Sequence, residues 1–471
     1  MTPKISTLLS LPLPVLALVA AMPASAQTNT PASRVELLER ELAAQKDRIS
    51  RLEALVERQN AALERLAPPQ QLAAGPQASL PPVVAVAPPP PSCAAHAPLS
   101  ALAVVAPVTA AQAPIGLATF AGSGAPSKDV FRIPGLDVSG DVRVREEFNW
   151  SDKDARSRTR SVLRARLRAT YQITRTLSVG GQLATGDPDD PNSTDIPLTG
   201  FDDDLEPSLD QAWIRYKAGG LTAYAGKFPS LFRRTDMIWD GDVVPEGAGA
   251  SYSVKLGDRA TFDAHATYFI IDEAPAGRDS DMLGFQGVLQ TPIGSAFKLM
   301  LAGAYYDYSL DSVAGADAGD FRSNLIVNGR YLSDFRLLNG LAVATWTGLG
   351  ERWPLSLSGD YVRNLGARVS ADTGFNIEFS VGRTAHKGDW RLFFNYSEVE
   401  VGAVFAAFSH DNLGIATNYR MHGASVGYVP AENVLLDATF YHYRPLDSLY
   451  AGANQPRDWL NRVRLNMMLS F

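Results

Sequence analysis

Apolar and polar side chains alternate in short segments from about Asp129 to the C-terminal Phe471. Successive side chains of a β-strand point to opposite faces, so each alternating segment predicts a strand with one apolar and one polar face. The stretch from Leu136 to Trp150 illustrates the pattern. One face carries Val138, Val142, Val144 and Phe148, and the other carries Ser139, Asp141, Arg143, Arg145 and Glu147.

The segment "SVLRARLRATYQI", residues 161–173, places an arginine at every second position. In a strand, Arg164, Arg166 and Arg168 share one face. The other face carries Leu163, Ala165, Leu167, Ala169 and Tyr171. A helix would spread the three arginines around its axis and would leave no apolar stripe. The pattern therefore predicts a strand whose charged face meets water and whose apolar face meets another solvent.

A soluble β-sandwich and a membrane-spanning β-barrel both show this alternation, and strand length separates them. Many segments alternate over roughly 10 residues, the length of a tilted strand that crosses a bilayer, whereas globular strands average about 5 or 6. Charges also lie in mid-strand, on the face that a closed barrel turns toward its lumen. We therefore predict an all-β fold, a transmembrane antiparallel β-barrel of about 16 strands within residues 128–471.

Aromatic residues and connection lengths agree with this orientation. Aromatic side chains near predicted strand ends, where interfacial girdles lie, are Phe148, Trp150, Tyr171, Tyr216, Tyr441 and Tyr443. Short links such as "KAGGL" and "PAEN" alternate with longer ones, as periplasmic turns alternate with extracellular loops, and both barrel ends are expected in the periplasm. Residues 323–333 are assigned to a loop, because a further strand there would make the strand number odd.

The N-terminus, "MTPKISTLLSLPLPVLALVAAMPASAQ", has the layout of a cleavable secretory signal over residues 1–26. Lys4 precedes an apolar run, and small residues precede Gln27. A retained membrane anchor is the alternative, although the run is short and contains Pro12 and Pro14. The mature chain is expected to begin at about Gln27.

Apolar residues then recur with a strict seven-residue period within residues 27–66, and charges flank them on both sides. The seam consists of Val35, Leu38, Leu42, Ile49, Leu52, Val56, Leu63 and Leu66, with Gln45 and Gln59 at its remaining positions. So narrow an apolar edge predicts a parallel α-helical coiled coil with an identical partner, either a dimer or a trimer. A single solvated helix is the alternative.

Residues 67–127 are rich in Pro, Ala and Gly and predict a disordered, extended linker. The uncharged stretch 98–120 has the length of a membrane-spanning helix, but Pro107 and Pro114 interrupt it. Cys93 is the single cysteine of the chain, so an intramolecular disulfide is impossible.

The composition adds few chemical signals. The formal net charge of −7 over 471 residues gives no indication of nucleic-acid binding. The six histidines are scattered and no HExxH metalloprotease motif occurs, so we expect neither an enzyme nor a cofactor. Motif spacing does not exclude a hydrolase whose groups come from several barrel strands. The second loop carries Asp187, Asp189, Asp190, Asp195 and Asp202 to Asp204, oxygen ligands of the kind that hold calcium or magnesium. It lacks EF-hand spacing, so we interpret it as an acidic surface loop and predict no metal site there.

The barrel region resembles the putative porin family of Gram-negative outer membranes over about Asp137 to Phe471. The resemblance is carried by "GDVRVREEF", the arginine-rich second strand, "LDQAWIRY", "AGKF", "TDMIWDGDVVPEG", "GDYVRN" and "KGDWRLFFNY". It implies a trimeric 16-stranded diffusion channel in the outer membrane, in contact with lipids and lipopolysaccharide. The C-terminal face formed by Val463, Leu465, Met467, Leu469 and Phe471 resembles the signal by which the outer-membrane assembly machinery takes up its clients.

Two groups of residues are candidates for the channel. The first is the predicted pore lining, Arg143, Arg145, Arg164, Arg166 and Arg168; an alternative is that these arginines bond to Asp141 or Glu147 and only stiffen the wall. The second is the third loop, which in general porins folds inward to form a constriction. Its charged residues are Arg233, Arg234, Asp236, Asp240, Asp242 and Glu246. A third loop that stays exposed to solvent is equally compatible with the sequence.

We expect an outer-membrane porin that forms a water-filled channel for passive diffusion of small hydrophilic solutes and ions, with its N-terminal region in the periplasm. The alternative function is structural. In that case the coiled coil and linker would tether the envelope, with peptidoglycan as a candidate partner and the barrel as an anchor.

Overall fold

The computed structural model describes residues 133–151, 157–198, 205–274, 277–311, 323–451 and 458–471. The predicted signal peptide, coiled coil and linker lie outside these residues, and so does the seam from Val35 to Leu66.

Sixteen long strands follow one another along the described part of the chain. They are β1 (Leu136–Ser151), β2 (Arg158–Gln172), β3 (Leu177–Ala184), β4 (Ser208–Ala218), β5 (Leu221–Lys227), β6 (Glu246–Leu256), β7 (Ala260–Asp272) and β8 (Ser280–Ile293). The second half comprises β9 (Phe297–Leu310), β10 (Phe335–Trp346), β11 (Leu355–Asn364), β12 (Thr373–Gly382), β13 (Trp390–Val399), β14 (Tyr419–Ala431), β15 (Val434–Pro445) and β16 (Leu460–Ser470).

Each strand pairs in antiparallel fashion with its neighbours in sequence, and the sheet closes where β1 pairs with β16. At the seam Asp141 pairs with Ser470, and Gly140 exchanges backbone hydrogen bonds of 2.9 and 3.0 Å with Phe471. Closure leaves no strand edge unpaired, which is what a spanning sheet requires in lipid. The predicted closed barrel of 16 antiparallel strands is confirmed.

The described residues contain no α-helix, and a single 3-10 turn occupies Ser448–Tyr450. In this part of the chain, no helix is long and apolar enough to cross a membrane.

The two faces of the strands differ as the alternation predicts. On β1, Val142 and Val144 are 37% and 46% exposed on the outer surface, whereas Asp141 and Arg145 are 5% and 4% exposed inside. The same outward apolar face continues around the barrel, for example at Ile377. A barrel with an apolar exterior and a polar interior is suited to a bilayer, because lipid meets hydrocarbon and water meets charge.

One detail of the predicted aromatic girdle is wrong. Phe148, Trp150, Tyr171 and Tyr216 point outward, but Tyr441 and Tyr443 on β15 are 2% and 4% exposed and point inward. Their outward neighbours are Phe440 and His442, because strand pairing places residues of even number outside on β15. Tyr441 and Tyr443 belong instead to a hydrophobic cluster inside the barrel.

The connections at the two ends differ in length. At one end, two-residue turns such as 219–220 and 432–433 join the strands. Gly219 and Asn433 have φ angles of 57° and 64°, the left-handed conformation that tight hairpins require. At the other end lie eight connections, most of them longer, which we number L1 to L8 in chain order. The longest of them are L2 (185–207), L3 (228–245), L5 (311–334) and L7 (400–418).

The stretch assigned to a loop from the sequence, residues 323–333, lies in L5 and adds no strand to the barrel. Ile326–Val327 pairs with Arg330–Tyr331 in a small separate hairpin. Its turn uses Asn328 and Gly329, both with positive φ.

The largest hydrophobic cluster of the described residues lies inside the barrel. L3 contributes Phe232, Met237, Ile238, Trp239 and Val243, and L7 contributes Ala403, Val404, Phe405, Ala407, Phe408, Leu413 and Ile415. Inward side chains of the wall, such as Tyr306 and Phe335, complete the cluster. Two loops therefore turn into the barrel and pack against each other and against one side of its wall.

Candidate functional site

Seven of the arginines on the inner face of three adjacent strands form what we call the arginine wall. They are Arg143 and Arg145 of β1, Arg164, Arg166 and Arg168 of β2, and Arg462 and Arg464 of β16. Because β1 lies between β2 and β16, strand pairing brings these side chains together, as in the directly opposed pair Arg143 and Arg164. The first five are those predicted from the alternation, whereas Arg462 and Arg464 were missed, although they alternate with the apolar C-terminal face.

Two acids within the same strands neutralise part of this charge. Asp141 lies 3.0 Å from both Arg164 and Arg166, measured between carboxylate oxygens and guanidinium nitrogens. Glu147 lies 2.8 Å from Arg464 and 2.9 Å from Arg160. These contacts are the wall-stiffening bonds that the sequence offered as an alternative to pore lining. They involve some of the arginines, whereas Arg143 and Arg145 form their ion pairs with a loop residue.

L2 brings a third acid to the wall. The carboxylate of Asp195 contacts Arg143 and lies 2.7 Å from Nη1 of Arg145. Burial alone would favour the neutral acid, but the guanidinium groups of Arg143 and Arg145 outweigh it and hold the pKa of Asp195 well below its usual range. Asp195 therefore stays ionised inside the barrel. The neighbouring acids Asp202 to Asp204 lie outside the described residues.

L3 brings a fourth acid, Asp242, whose Oδ1 lies 2.9 Å from Nη1 of Arg166. Burial opposes ionisation here too, and Arg166 with Arg164 outweighs it and lowers the pKa of Asp242. Of the six charged residues predicted for this loop, Asp242 is the one that meets the arginine wall.

The other five have different surroundings. Arg234 donates hydrogen bonds to the backbone carbonyls of Trp239 and Asp240, inside L3 itself. Asp236 and Asp240 lie between L3 and L7, where Asp240 is buried and Asp236 is half-buried. The backbone N–H of Arg233 bonds to Gln286 on β8, and Glu246 begins β6 and contacts Lys227 at 2.6 Å.

L7 brings a fifth acid. Asp411 lies 3.8 Å from Nη1 of Arg464, and Arg464 also donates a 2.7 Å hydrogen bond to the side chain of Asn412. Arg462 donates to the backbone carbonyl of Asn412 at 2.8 Å. Three loops thus each deliver one aspartate to the arginine wall. Sequence reasoning could not foresee Asp195 and Asp411 in this role, because only the closed fold brings L2 and L7 to β1 and β16.

Arg168 is the most accessible of the wall arginines that form an ion pair. Its side chain is 40% exposed, compared with 7% for Arg164 and 9% for Arg166, and its contact to Asp141 is 3.5 Å long. Arg168 therefore keeps much of its charge available to water and to ions inside the barrel.

A run of aromatic side chains lies on the inner side of β4 and β5 and ends at Phe228 of L3, which is fully buried. Trp213 on β4 contacts Tyr224 on β5 edge to face at 5.4 Å, and Tyr224 stacks on Phe228 at 5.4 Å. Arg215 lies over the Trp213 ring at 5.5 Å. The three rings come from different segments of the chain and were not recognised from the sequence.

A cavity of about 1140 Å³ opens near the long-loop end, between L2, L3, L7 and the ends of β4 and β7. Phe269, Phe405 and Phe408 lie on its apolar side, and Asp187, Asp189, Asp190, Asp210, Asp272 and Glu273 are among its acidic lining residues. No group of three or more His, Cys, Asp or Glu side chains among the described residues is arranged to hold a metal ion.

The predicted assembly face lies on the outer surface of β16. Leu465, Met467 and Leu469 are between 42% and 46% exposed, Phe471 is 62% exposed, and Val463 is half-buried on the same face. These side chains form an apolar stripe at the barrel seam.

A closed barrel of this size, apolar outside and charged inside, defines a membrane-spanning β-barrel of the kind found in bacterial outer membranes. Residues 147–320 match the model of a family described as putative porin. The match contains the arginine-bearing strand β2 and loop L3, and it confirms the resemblance drawn from the sequence motifs. Family and fold together support an outer-membrane channel.

Three solved structures are similar to this chain. Pseudomonas putida OprB at high pH is 14% identical, with 72% of this chain and 94% of that chain covered and a TM-score of 0.47. Salmonella typhi OmpF in complex with daunomycin is 12% identical, with 71% and 97% covered and a TM-score of 0.45. Vibrio cholerae OmpT without loop L8 is 13% identical, with 72% and 100% covered and a TM-score of 0.42. No curated protein matches the sequence.

Proposed function

We propose that this protein is a porin, through whose lumen small hydrophilic solutes and ions diffuse passively across the outer membrane. The observation that carries the proposal is the arginine wall inside a closed barrel with an apolar exterior. A barrel that only anchors a tether also needs ion pairs in its wall, but it does not need an arginine such as Arg168, which stays partly exposed inside the barrel. In a water-filled lumen, by contrast, such side chains set the local ion concentration and a transverse field.

The predicted pore-lining role is strongest for Arg168, because its guanidinium remains partly hydrated. Arg143, Arg145, Arg164 and Arg166 are largely covered by acids, so they act mainly by fixing the positions of Asp141, Asp195 and Asp242. The channel's ion preference would then depend on the balance between Arg168 and these acids. Neither a cofactor nor a catalytic group takes part in passive diffusion.

Further features of the proposal concern assembly and orientation. The long-loop end would face the exterior and the short-turn end the periplasm, where the N-terminal region would lie. The apolar stripe from Val463 to Phe471 would be read by the assembly machinery, and three copies would associate in contact with lipids and lipopolysaccharide. The mass of the complex in mild detergent, compared with that of the heated chain, tests the trimer.

The experiment for the function itself uses refolded full-length protein in liposomes and planar bilayers. Neutral sugars of increasing size should enter the liposomes until a size limit is reached. In a salt gradient, Arg168→Glu should move the reversal potential toward cation preference. Arg336→Glu is the matched control, because Arg336 is exposed on the outward face of β10 and should leave the reversal potential unchanged. Equal reversal potentials for wild type and Arg168→Glu would contradict the assignment of Arg168 to the lumen.

A further inference from the structure

L7 has an unusual composition for a loop between barrel strands. Its residues 401–418 read "VGAVFAAFSHDNLGIATN", with His410 and Asp411 as the ionisable side chains. Val404, Phe405 and Phe408 are 0%, 2% and 3% exposed. Removal of these large apolar side chains from water favours the inward position of L7 over an exposed one.

Aromatic contacts attach L7 to one side of the barrel. The ring of Phe408 stacks on Phe269 of β7 with a centroid distance of 5.1 Å and an interplanar angle of 8°. Phe405 lies 5.3 Å from Tyr308 of β9 and 5.4 Å from Phe335 of β10. L7 therefore shares the core of the barrel wall rather than resting on its rim.

Backbone hydrogen bonds join L7 to L3. The N–H of Asp240 donates to the carbonyl of Phe408 at 2.8 Å, and the N–H of His410 donates to the carbonyl of Asp236 at 3.0 Å. L3 is itself fixed to the wall, because Thr235 donates to Asp360 of β11 and Trp239 donates to Tyr308 at 2.7 Å. The two loops form one packed unit inside the barrel.

The far end of L7 reaches the opposite side of the barrel. Asn412 accepts hydrogen bonds from Arg462 and Arg464 on β16, and Ser193 of L2 donates to Asp411 at 3.2 Å. L7 thus extends from β7, β9 and β10 to β16. A solute that enters from the long-loop end has to pass beside this segment.

Asn324 of L5 holds L7 in this position. Its side-chain N–H groups donate to the carbonyls of Val401 and Val404 at 3.0 Å each, and its side-chain oxygen accepts from the N–H of Ala406 at 2.7 Å. The adjacent Ser323 accepts from the N–H groups of Ala416 and Thr417. L7 is irregular and buried, so its backbone needs such partners, and the loss of one leaves a costly unpaired group.

We propose that L7 is an internal plug that limits permeation, and that Asn324 is the positioning residue that keeps the plug inside the barrel. The proposal rests on the channel function proposed above. It assigns the permeability limit to L7 together with L3, whereas the sequence pointed to L3 alone.

Two variants test the plug. Asn324→Asp keeps the size of the side chain but removes its two donors and places a carboxylate near two carbonyl oxygens. Asn328→Asp is the matched control, because Asn328 is exposed at the tip of the small hairpin in the same loop and aspartate tolerates its positive φ. In the second variant, a short Gly/Ser turn replaces residues 401–418, which leaves β13 and β14 intact. Gel mobility before and after heating verifies that each barrel is folded.

We expect a severalfold higher single-channel conductance and a larger sugar-size limit for Asn324→Asp and for the loop replacement, with Asn328→Asp at the wild-type level. If Asn324→Asp fails to fold, the conductance and the sugar-size limit of the loop replacement test the plug. Wild-type conductance and size limit in the folded variants would overturn the plug and leave the channel function standing. Bilayers that stay closed with both wild type and the loop replacement would refute the channel function itself.

Discussion

Glu147 on β1 and Arg464 on β16 face each other across the seam where the barrel closes, with Oε2 and Nε 2.8 Å apart. Their side chains are 0% and 1% exposed. Glu147 also receives hydrogen bonds from Arg160 and Asn149, so one buried carboxylate connects the first two strands with the last.

Replacement of this carboxylate should destabilise the barrel. In Glu147→Gln, Arg160 loses this carboxylate and the buried Arg464 keeps only the more distant Asp411 as a charged partner. We expect the free energy of unfolding to fall by about 3 kcal/mol, the lower end of the cost of breaking a buried ion pair. Urea titration of the protein in lipid vesicles, followed by gel mobility, measures the change. Glu246→Gln is the control, because its pair with Lys227 is exposed and should be worth under about 1 kcal/mol. Equal losses in the two variants would contradict a special role of the seam.

Asp242 is predicted to influence ion preference through Arg166. Asp242→Asn removes a charge from L3 while it keeps a hydrogen-bond acceptor for the guanidinium, so the net charge of the wall becomes more positive. We expect the chloride-to-potassium permeability ratio to rise severalfold at low salt and to return toward the wild-type value at high salt, because salt screens the wall. Reversal potentials in a series of salt gradients provide the measurement. An unchanged ratio at low salt would place Asp242 away from the ion path.

The outward face of the strands is predicted to meet lipid. Leu301 lies within β9 and is 42% exposed, whereas Phe297 begins the same strand and is 49% exposed. Leu301→Arg should cost about 2–4 kcal/mol of unfolding free energy, and Phe297→Arg should cost about 0–1, because the penalty for arginine decreases from the bilayer centre to its interface. Unfolding in vesicles compares the two variants. Small and equal effects would indicate a face in contact with water.

L3 and L7 should dock more firmly in acid. Burial, reinforced by Asp411 and only partly offset by Arg234, raises the pKa of Asp236 to about 6. Burial together with Asp236 raises the pKa of Asp240 well above its ordinary value. Asn412 donates a hydrogen bond to Asp236, and the other ionisable groups that interact with Asp236 are Asp242 of L3 and Glu378, Tyr419 and Tyr441 of the wall.

The direction of the pH effect on loop docking follows from the difference between the pKa values of docked and undocked Asp236. An undocked Asp236 titrates near 3.8, so docking is strongest below that pH and weakens as the pH rises through about 6, by about 3 kcal/mol in total for this group. We expect wild-type conductance to increase between pH 4 and pH 7. Asp236→Asn should stay neutral, keep the plug docked and weaken the pH dependence between those limits, with the contribution of Asp240 remaining. A conductance titration that is identical in both proteins would contradict this role of Asp236.

Local sequence pattern was sufficient for the strands, because the side-chain period of two is visible without knowledge of the fold. It placed the arginines of β1 and β2 on one face, and strand pairing confirms that face. The pattern was insufficient for β15, where Tyr441 and Tyr443 look like girdle residues but lie inside. Their direction depends on register with β16, and register follows from tertiary pairing.

The inward conformation of the loops could not be predicted from side-chain periodicity. Asp195, Asp242 and Asp411 meet the arginine wall because three long loops turn inward, and nothing local in "DNLGIATN" indicates an arginine partner across the barrel. One signal was present and could have been used. The segment from Val401 to Phe408 carries no charge and several large apolar residues, which is a poor composition for a loop in water and a suitable one for a buried segment.

The barrel is proposed to be a channel, and ion conductance tests this claim most directly. Purified full-length protein is added to a planar bilayer at several salt concentrations, and single insertions are recorded. We predict discrete, stable current steps that grow with salt concentration, and larger steps when a short turn replaces L7. Bilayers that remain closed for both proteins, although gel mobility shows folded barrels, would contradict the channel function.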